Sequence, residues 1–136
     1  MNPAGLPAHQ SRCKEVTDQT MYGTAKEFFD ARRENARKTR DNAPQVAKAF
    51  AQMELALMAD GALSAKTKEL VALGIAVAEH CVPCIRAHIA AALEEGASRE
   101  EILEAAGVAV VMAGGPAYIH IPLVVETLDE LQKKEE

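Results

Sequence analysis

Two cysteines stand three positions apart in the segment His80-Cys81-Val82-Pro83-Cys84, and His88 follows four residues after the second. A C-x-x-C spacing lets both sulfurs meet within one turn of chain, so a disulfide can close without large backbone movement. The thiolate is the form of cysteine that attacks in such exchange. Pro83 suits the first turn of a helix, which puts the pair at a helix N-terminus. Free amides there carry partial positive charge and favour a thiolate over a thiol. On helix-end physics alone Cys81, the more exposed sulfur, is the more acidic of the two.

On a helix starting here, Cys84 and His88 lie one turn apart on one face. An imidazole so placed can take or return the Cys84 proton and, once protonated, hold the thiolate. Glu69 comes from the preceding apolar segment. If the two helices reverse near His80, Glu69 falls within about one helical turn, ~5 Å, of His88. A carboxylate on an otherwise apolar helix costs free energy unless paired. Glu69 is therefore expected to orient the ring as the third member of a proton relay, rather than to lie exposed on the first turns. Two rival readings use the same residues. Cys81, Cys84 and His88, with His80 or Glu79, could offer zinc four ligands, but structural zinc sites usually carry a second Cys or His pair and none is present. The cysteines could also be plain core residues, which their place at a helix start disfavours. The expectation is a dithiol with no metal and no organic cofactor.

The elements that must position these groups read as helices. The chain has 136 residues, 49% of them hydrophobic and 4% aromatic, with no Trp, so its core must come from Ala, Leu, Val and Ile. Residues 1–18 hold Pro3, Gly5, Pro7, His9 and the lone Cys13, a polar flexible lead, with one domain over 19–136. An exposed helix rich in Lys, Arg and Glu is expected from Thr20 to Thr39, with Phe28 and Phe29 as apolar anchors. Pro44 opens the next, whose stripe Val46, Phe50, Met53 and Leu57 is read as core. Ser64 caps a helix running to Glu79, apolar nearly all round from Leu70 to Ala78 and so placed centrally. After Cys81 come a helix striped by Ile85, Ile89 and Leu93 and ended by Gly96, then a capping box at Ser98 and Glu101 that starts a helix to Ala113. A strand at Val108–Met112 is the disfavoured alternative. Gly114-Gly115-Pro116 breaks the chain before a last helix in which Pro122 marks either a kink or a late start. His120 has no partner legible in sequence and reads as a surface or interface residue.

The net charge of -5 argues against nucleic-acid or anionic-membrane partners. No apolar run is long enough to span a bilayer, and Met1-Asn2-Pro3-Ala4-Gly5 has neither the basic nor the apolar part of a signal peptide, so a cytoplasmic place is expected. Three cysteines in a reducing compartment are not a disulfide scaffold, which leaves the close pair in need of a chemical role.

The pattern Glu69-x11-Cys81-x2-Cys84-x3-His88 resembles the active-site signature of the AhpD-like (alkyl hydroperoxidase D) family, within the carboxymuconolactone decarboxylase superfamily. Gly96 through Ile102 and the Gly114-Gly115-Pro116 break are also similar, and the resemblance spans roughly residues 44–130. It implies a single all-α domain of about six helices, assembled as trimers or hexamers. It implies a thiol-dependent peroxidase or disulfide oxidoreductase. Cys84 would attack a small hydroperoxide, and Cys81 would resolve it and exchange with an external dithiol, a thioredoxin- or lipoyl-type reductant. His88 and Glu69 match the family's proton relay. AhpD proper carries a His between its cysteines where this chain has Pro83, with His80 or Glu79 as candidate stand-ins. A lactone decarboxylase on the same fold, and a redox sensor or scaffold that oxidises without turnover, are the alternatives.

Overall fold

Each break between apolar segments carries its own stop or start signal, and the chain turns where those signals stand. The computed structural model describes residues 22–133, which form seven helices and no strand. They are α1 (Ala25–Asn42), α2 (Pro44–Met58), α3 (Ala65–Ala78), α4 (Val82–Glu94), α5 (Arg99–Ala113), the single turn α6 (Gly115–Tyr118) and α7 (Ile121–Gln132). The lead over 1–18, with His9 and Cys13, lies outside the described residues. The all-α class read from the sequence is the observed one, with six full helices and one short one.

Capping explains the boundaries. Thr24 with Glu27, and Ser98 with Glu101, form two capping boxes. In each, a side-chain oxygen accepts a free amide at the helix start while the Glu accepts the amide of the cap residue. The Ser98 amide, then the Lys66 ammonium at 2.9 Å, hold the Glu101 carboxyl below its ordinary value of 4.5. Pro122 sits in the first turn of α7, so it marks a start rather than a kink. The segment Val108–Met112 is helical throughout.

The core lies where α3, α4, α5 and α7 meet. Leu73 and Val77 of α3 pack with Ile85 and Ile89 of α4, Ile102 and Ala106 of α5, and Leu123, Val124 and Leu128 of α7, all buried. Each large aliphatic side chain removed from water contributes roughly 1.5–3 kcal/mol. Buried Arg86, on α4, ties the start of α1 to this body. Its guanidinium donates to the carbonyls of Gly23 and Thr24, both at 2.6 Å, while the Ala25 amide donates to Glu130 of α7 at 2.7 Å. At the finish of α2, the Lys68 ammonium of α3 donates to the carbonyls of Leu57 and Ala59. Those are carbonyls that the end of α2 leaves free.

Two readings of the sequence are corrected here. The α2 stripe of Val46, Phe50, Met53 and Leu57 is not core; Phe50 is 59% exposed and the others are similarly open. Helical spacing shows that a face is apolar, but among the described residues the neighbours of α2, mainly α1, leave that stripe uncovered. Helix α3 is likewise not buried all round, since Val71 and Ile75 face outward.

Leu73→Ala should cost about 2–5 kcal/mol, because the hole it leaves lies among three helices that cannot all collapse into it. Urea unfolding followed by circular dichroism reads this as a lower midpoint at unchanged slope.

Candidate active site

The site begins with the way α3 stops. The Cys81 amide donates to the Ala76 carbonyl and the His80 amide to the Val77 carbonyl, at 3.0 and 3.2 Å. This is a Schellman ending, in which the residue at the turn takes a left-handed conformation. That residue is His80, with φ of +56°. The next helix starts at once, because Cys81 is its N-cap and the Ile85 amide already donates to the Cys81 carbonyl. The reversal sets α3 and α4 side by side.

Cys81 and Cys84 are joined as a disulfide, with Cα atoms 5.2 Å apart. The Cys81 sulfur also accepts the Cys84 amide at 3.3 Å, so it occupies the place an oxygen usually takes at a helix start. Both cysteines are half-buried, with Pro83 exposed between them.

Across the helix pair, His88 Nδ1 and Glu69 Oε2 are 2.7 Å apart. A carboxylate only accepts, so Nδ1 is the donor, and Nε2 is left as the nitrogen that can take a proton. Glu69 is 12% and His88 26% exposed at the side chain. The pair is sheltered from water on one side and reachable on the other. A cavity of about 270 Å³ opens beside it, bounded by Phe29 and Arg32 of α1, Glu54 of α2 and Glu94 of α4.

All four residues singled out in the sequence thus fall on α3 and α4. Glu69 meets His88 directly, the sulfurs meet each other, and His88 stands one helical turn beyond Cys84. Among the described residues, no group of three or more His, Cys, Asp or Glu is arranged to hold a metal ion. His80 is exposed, and its ring stacks on that of His120, with centroids 5.2 Å apart. His120, expected as a surface or interface residue, is instead buried within the chain: it is 7% exposed, its Nδ1 donates to the Pro116 carbonyl at 2.8 Å, and Tyr22 stacks on it as well. Neither contact of His120 was legible in the sequence, because Tyr22 precedes α1 and His120 stands between α6 and α7, so that tertiary packing alone brings these rings to His80.

Fold and site together define an all-helical protein with a C-x-x-C disulfide at one helix start and a Glu–His pair beside it. The sequence profile of the carboxymuconolactone decarboxylase family matches residues 44–126. The chain belongs to that family. It is 41% identical over 83 residues to uncharacterized protein 4 in the cox locus of Paracoccus denitrificans, a match covering 61% of this chain and 75% of that one. It is also similar to the crystal structure of an apo carboxymuconolactone decarboxylase family protein from Legionella pneumophila. There the TM-score is 0.74 at 35% identity, over 78% of this chain and 95% of that one. A Thermotoga maritima family member, for which an antioxidative role has been suggested, superposes with a TM-score of 0.72 at 36% identity, over 80% of this chain and 92% of its own. Among the described residues, no helix is long and apolar enough to cross a membrane.

Glu69→Ala and His88→Ala should each slow alkylation of Cys84 in the reduced chain by about tenfold at neutral pH. Because the two side chains are hydrogen-bonded to each other, the double variant should be no slower than the slower single one. Rates from peptide mass spectrometry test this; additive losses would show two independent effects.

Proposed function

We propose that this protein is a thiol-dependent peroxidase and disulfide oxidoreductase that works through the Cys81–Cys84 dithiol. The carrying observation is the disulfide at the start of α4 with a carboxylate-oriented imidazole one turn further along the same helix. The suggested antioxidative role of the Thermotoga relative supports the same direction.

In this scheme the Cys84 thiolate attacks one oxygen of a small hydroperoxide and breaks the O–O bond. Cys84 becomes a sulfenic acid, and the departing alkoxide takes a proton and leaves as alcohol or water. His88, held through Nδ1 by Glu69, takes the Cys84 thiol proton at Nε2 as the thiolate forms and returns that same proton to the alkoxide. The Cys81 thiol then condenses with the sulfenic acid, forming the disulfide and releasing water. An external dithiol returns two electrons through a mixed disulfide on Cys81. The chemistry calls for no metal or organic cofactor.

Peroxide consumption with added dithiothreitol should fall by two orders of magnitude or more, roughly, in Cys84→Ser. Cys81→Ser should react once with peroxide and stall as a sulfenic acid, which intact mass reads as one added oxygen. Undiminished turnover in Cys84→Ser would sink the proposal.

We infer further that the chain self-associates. Val71, Ile75, Val108 and Met112 of α3 and α5 line an open apolar groove of about 470 Å³, and the α2 stripe is equally uncovered. Monomers rarely leave so much contiguous apolar surface in water, and a second copy offers the same faces in return. Sedimentation velocity should find three or six chains per particle. Ile75→Glu with Met112→Glu should shift the particle toward a single chain.

A further inference from the structure

The apolar faces that the chain leaves uncovered differ in charge. Among the described residues, no ionisable side chain borders the groove between α3 and α5. A second groove, of about 820 Å³, runs between α1 and α2, and its border is cationic. Val46, Ala47 and Phe50 supply an apolar wall, and Arg32, Arg40 and Lys48 stand around it. No Asp or Glu among the described residues borders it. Met53 and Leu57, the inner half of the α2 stripe, lie outside this groove.

These three cations are set apart from the rest of the hairpin. On α1, Lys26 and Arg33 pair with Asp30, Arg37 pairs with Glu34 and Asp41, and Lys38 with Glu34. Arg32, Arg40 and Lys48 are exposed and, among the described residues, have no ion-pair partner. The cations left without a countercharge are thus the ones that border the groove, in a chain whose net charge is -5. Arg32 and Arg40 stand about two turns of α1 apart, ~12 Å along its axis. Arg32 also borders the cavity beside His88, so the inner end of the groove adjoins the candidate site.

We propose that the α1–α2 groove binds a single-chain anionic amphiphile of the fatty-acid kind, its alkyl chain on Val46, Ala47 and Phe50 and its carboxylate met by Arg40 and Lys48. An apolar wall with a few charged groups is the make-up of a small-molecule site, and such sites usually span about 300–1,000 Å³. An alkyl chain covers the part of the α2 stripe that otherwise meets water, and a carboxylate supplies the countercharge that the hairpin lacks. A second copy of the chain suits the uncharged α3–α5 groove better. A two-fold contact through the α1–α2 groove would set one cationic border against another. The binding does not rest on the peroxidase reading, in which Arg40 and Lys48 take no part.

The test is calorimetric titration of the full chain with dodecanoate below its micelle concentration. Dodecanoate should bind saturably. Dodecyltrimethylammonium, the same alkyl chain with a cationic head, should bind about tenfold more weakly. Decanoate should bind about fourfold more weakly than dodecanoate, since an open groove covers roughly half of each CH₂. Arg40→Gln with Lys48→Gln should weaken dodecanoate about tenfold, while the chain melts as the parent does and consumes peroxide at the same rate. Phe50→Ala should weaken both chain lengths and leave the preference for the anionic head. No saturable dodecanoate binding, equal binding of the two head groups, or a folded Gln variant within about twofold of the parent would each overturn the proposal. So would binding of an acidic helical peptide, or of phosphatidylglycerol vesicles, with none of free dodecanoate, since the groove would then serve a protein or a membrane. Dodecanoate binding of this pattern in a chain that consumes no peroxide would end the peroxidase reading and leave this one standing.

Discussion

Helix α3 stops and α4 starts within three residues, Glu79 to Cys81, and the distance between every pair of candidate groups follows from that reversal. The turn lays two helices side by side with almost no connecting chain. Glu69, near the beginning of one, then faces His88, at the middle of the other. A longer linker would allow the helices to slide by a turn, about 5 Å, which is more than a hydrogen bond tolerates. The 2.7 Å contact between Nδ1 and Oε2 therefore depends on two backbone bonds at the far end of the hairpin.

The helix pair also settles how a carboxylate can sit at the edge of an apolar core. Glu69 gives up most of its contact with water and regains one strong partner in exchange. Such a group is expensive to strand, because the cost of its lost hydration remains when its partner is removed. The cysteines add a different constraint. A sulfur at the N-cap meets a backbone amide that an oxygen normally takes, which joins the start of α4 to the redox state of the pair.

Much of this could be read from residue types. The helix starts at Ser64 and Ser98, the stop at Gly96 and the opening at Pro83 are local signals, and local hydrogen bonding decides them. The Glu69–His88 contact followed from counting outward from one turn. Burial was less legible. The α2 stripe has the spacing of a core helix yet lies open, because periodicity reports that a face is apolar and not what covers it. His120 failed for the opposite reason. Its partners Pro116, Tyr22 and His80 come from three separate segments, and no spacing rule links them. His80 did carry a signal: it occupies the position after a helix where glycine is usual, directly before a cysteine.

The hairpin of α1 and α2 is fastened at its base on both sides. Arg86 clamps the beginning of α1, Lys68 clamps the finish of α2, and the joint at Ala43 stands farthest along the chain from either. Phe29 and Glu54, which border the cavity beside His88, each lie one turn from a clamp. The arrangement is that of a bracket bolted at its root. Flexing or lengthening at the outer tip is taken up along the arms, and the wall of the cavity beside His88 keeps its shape.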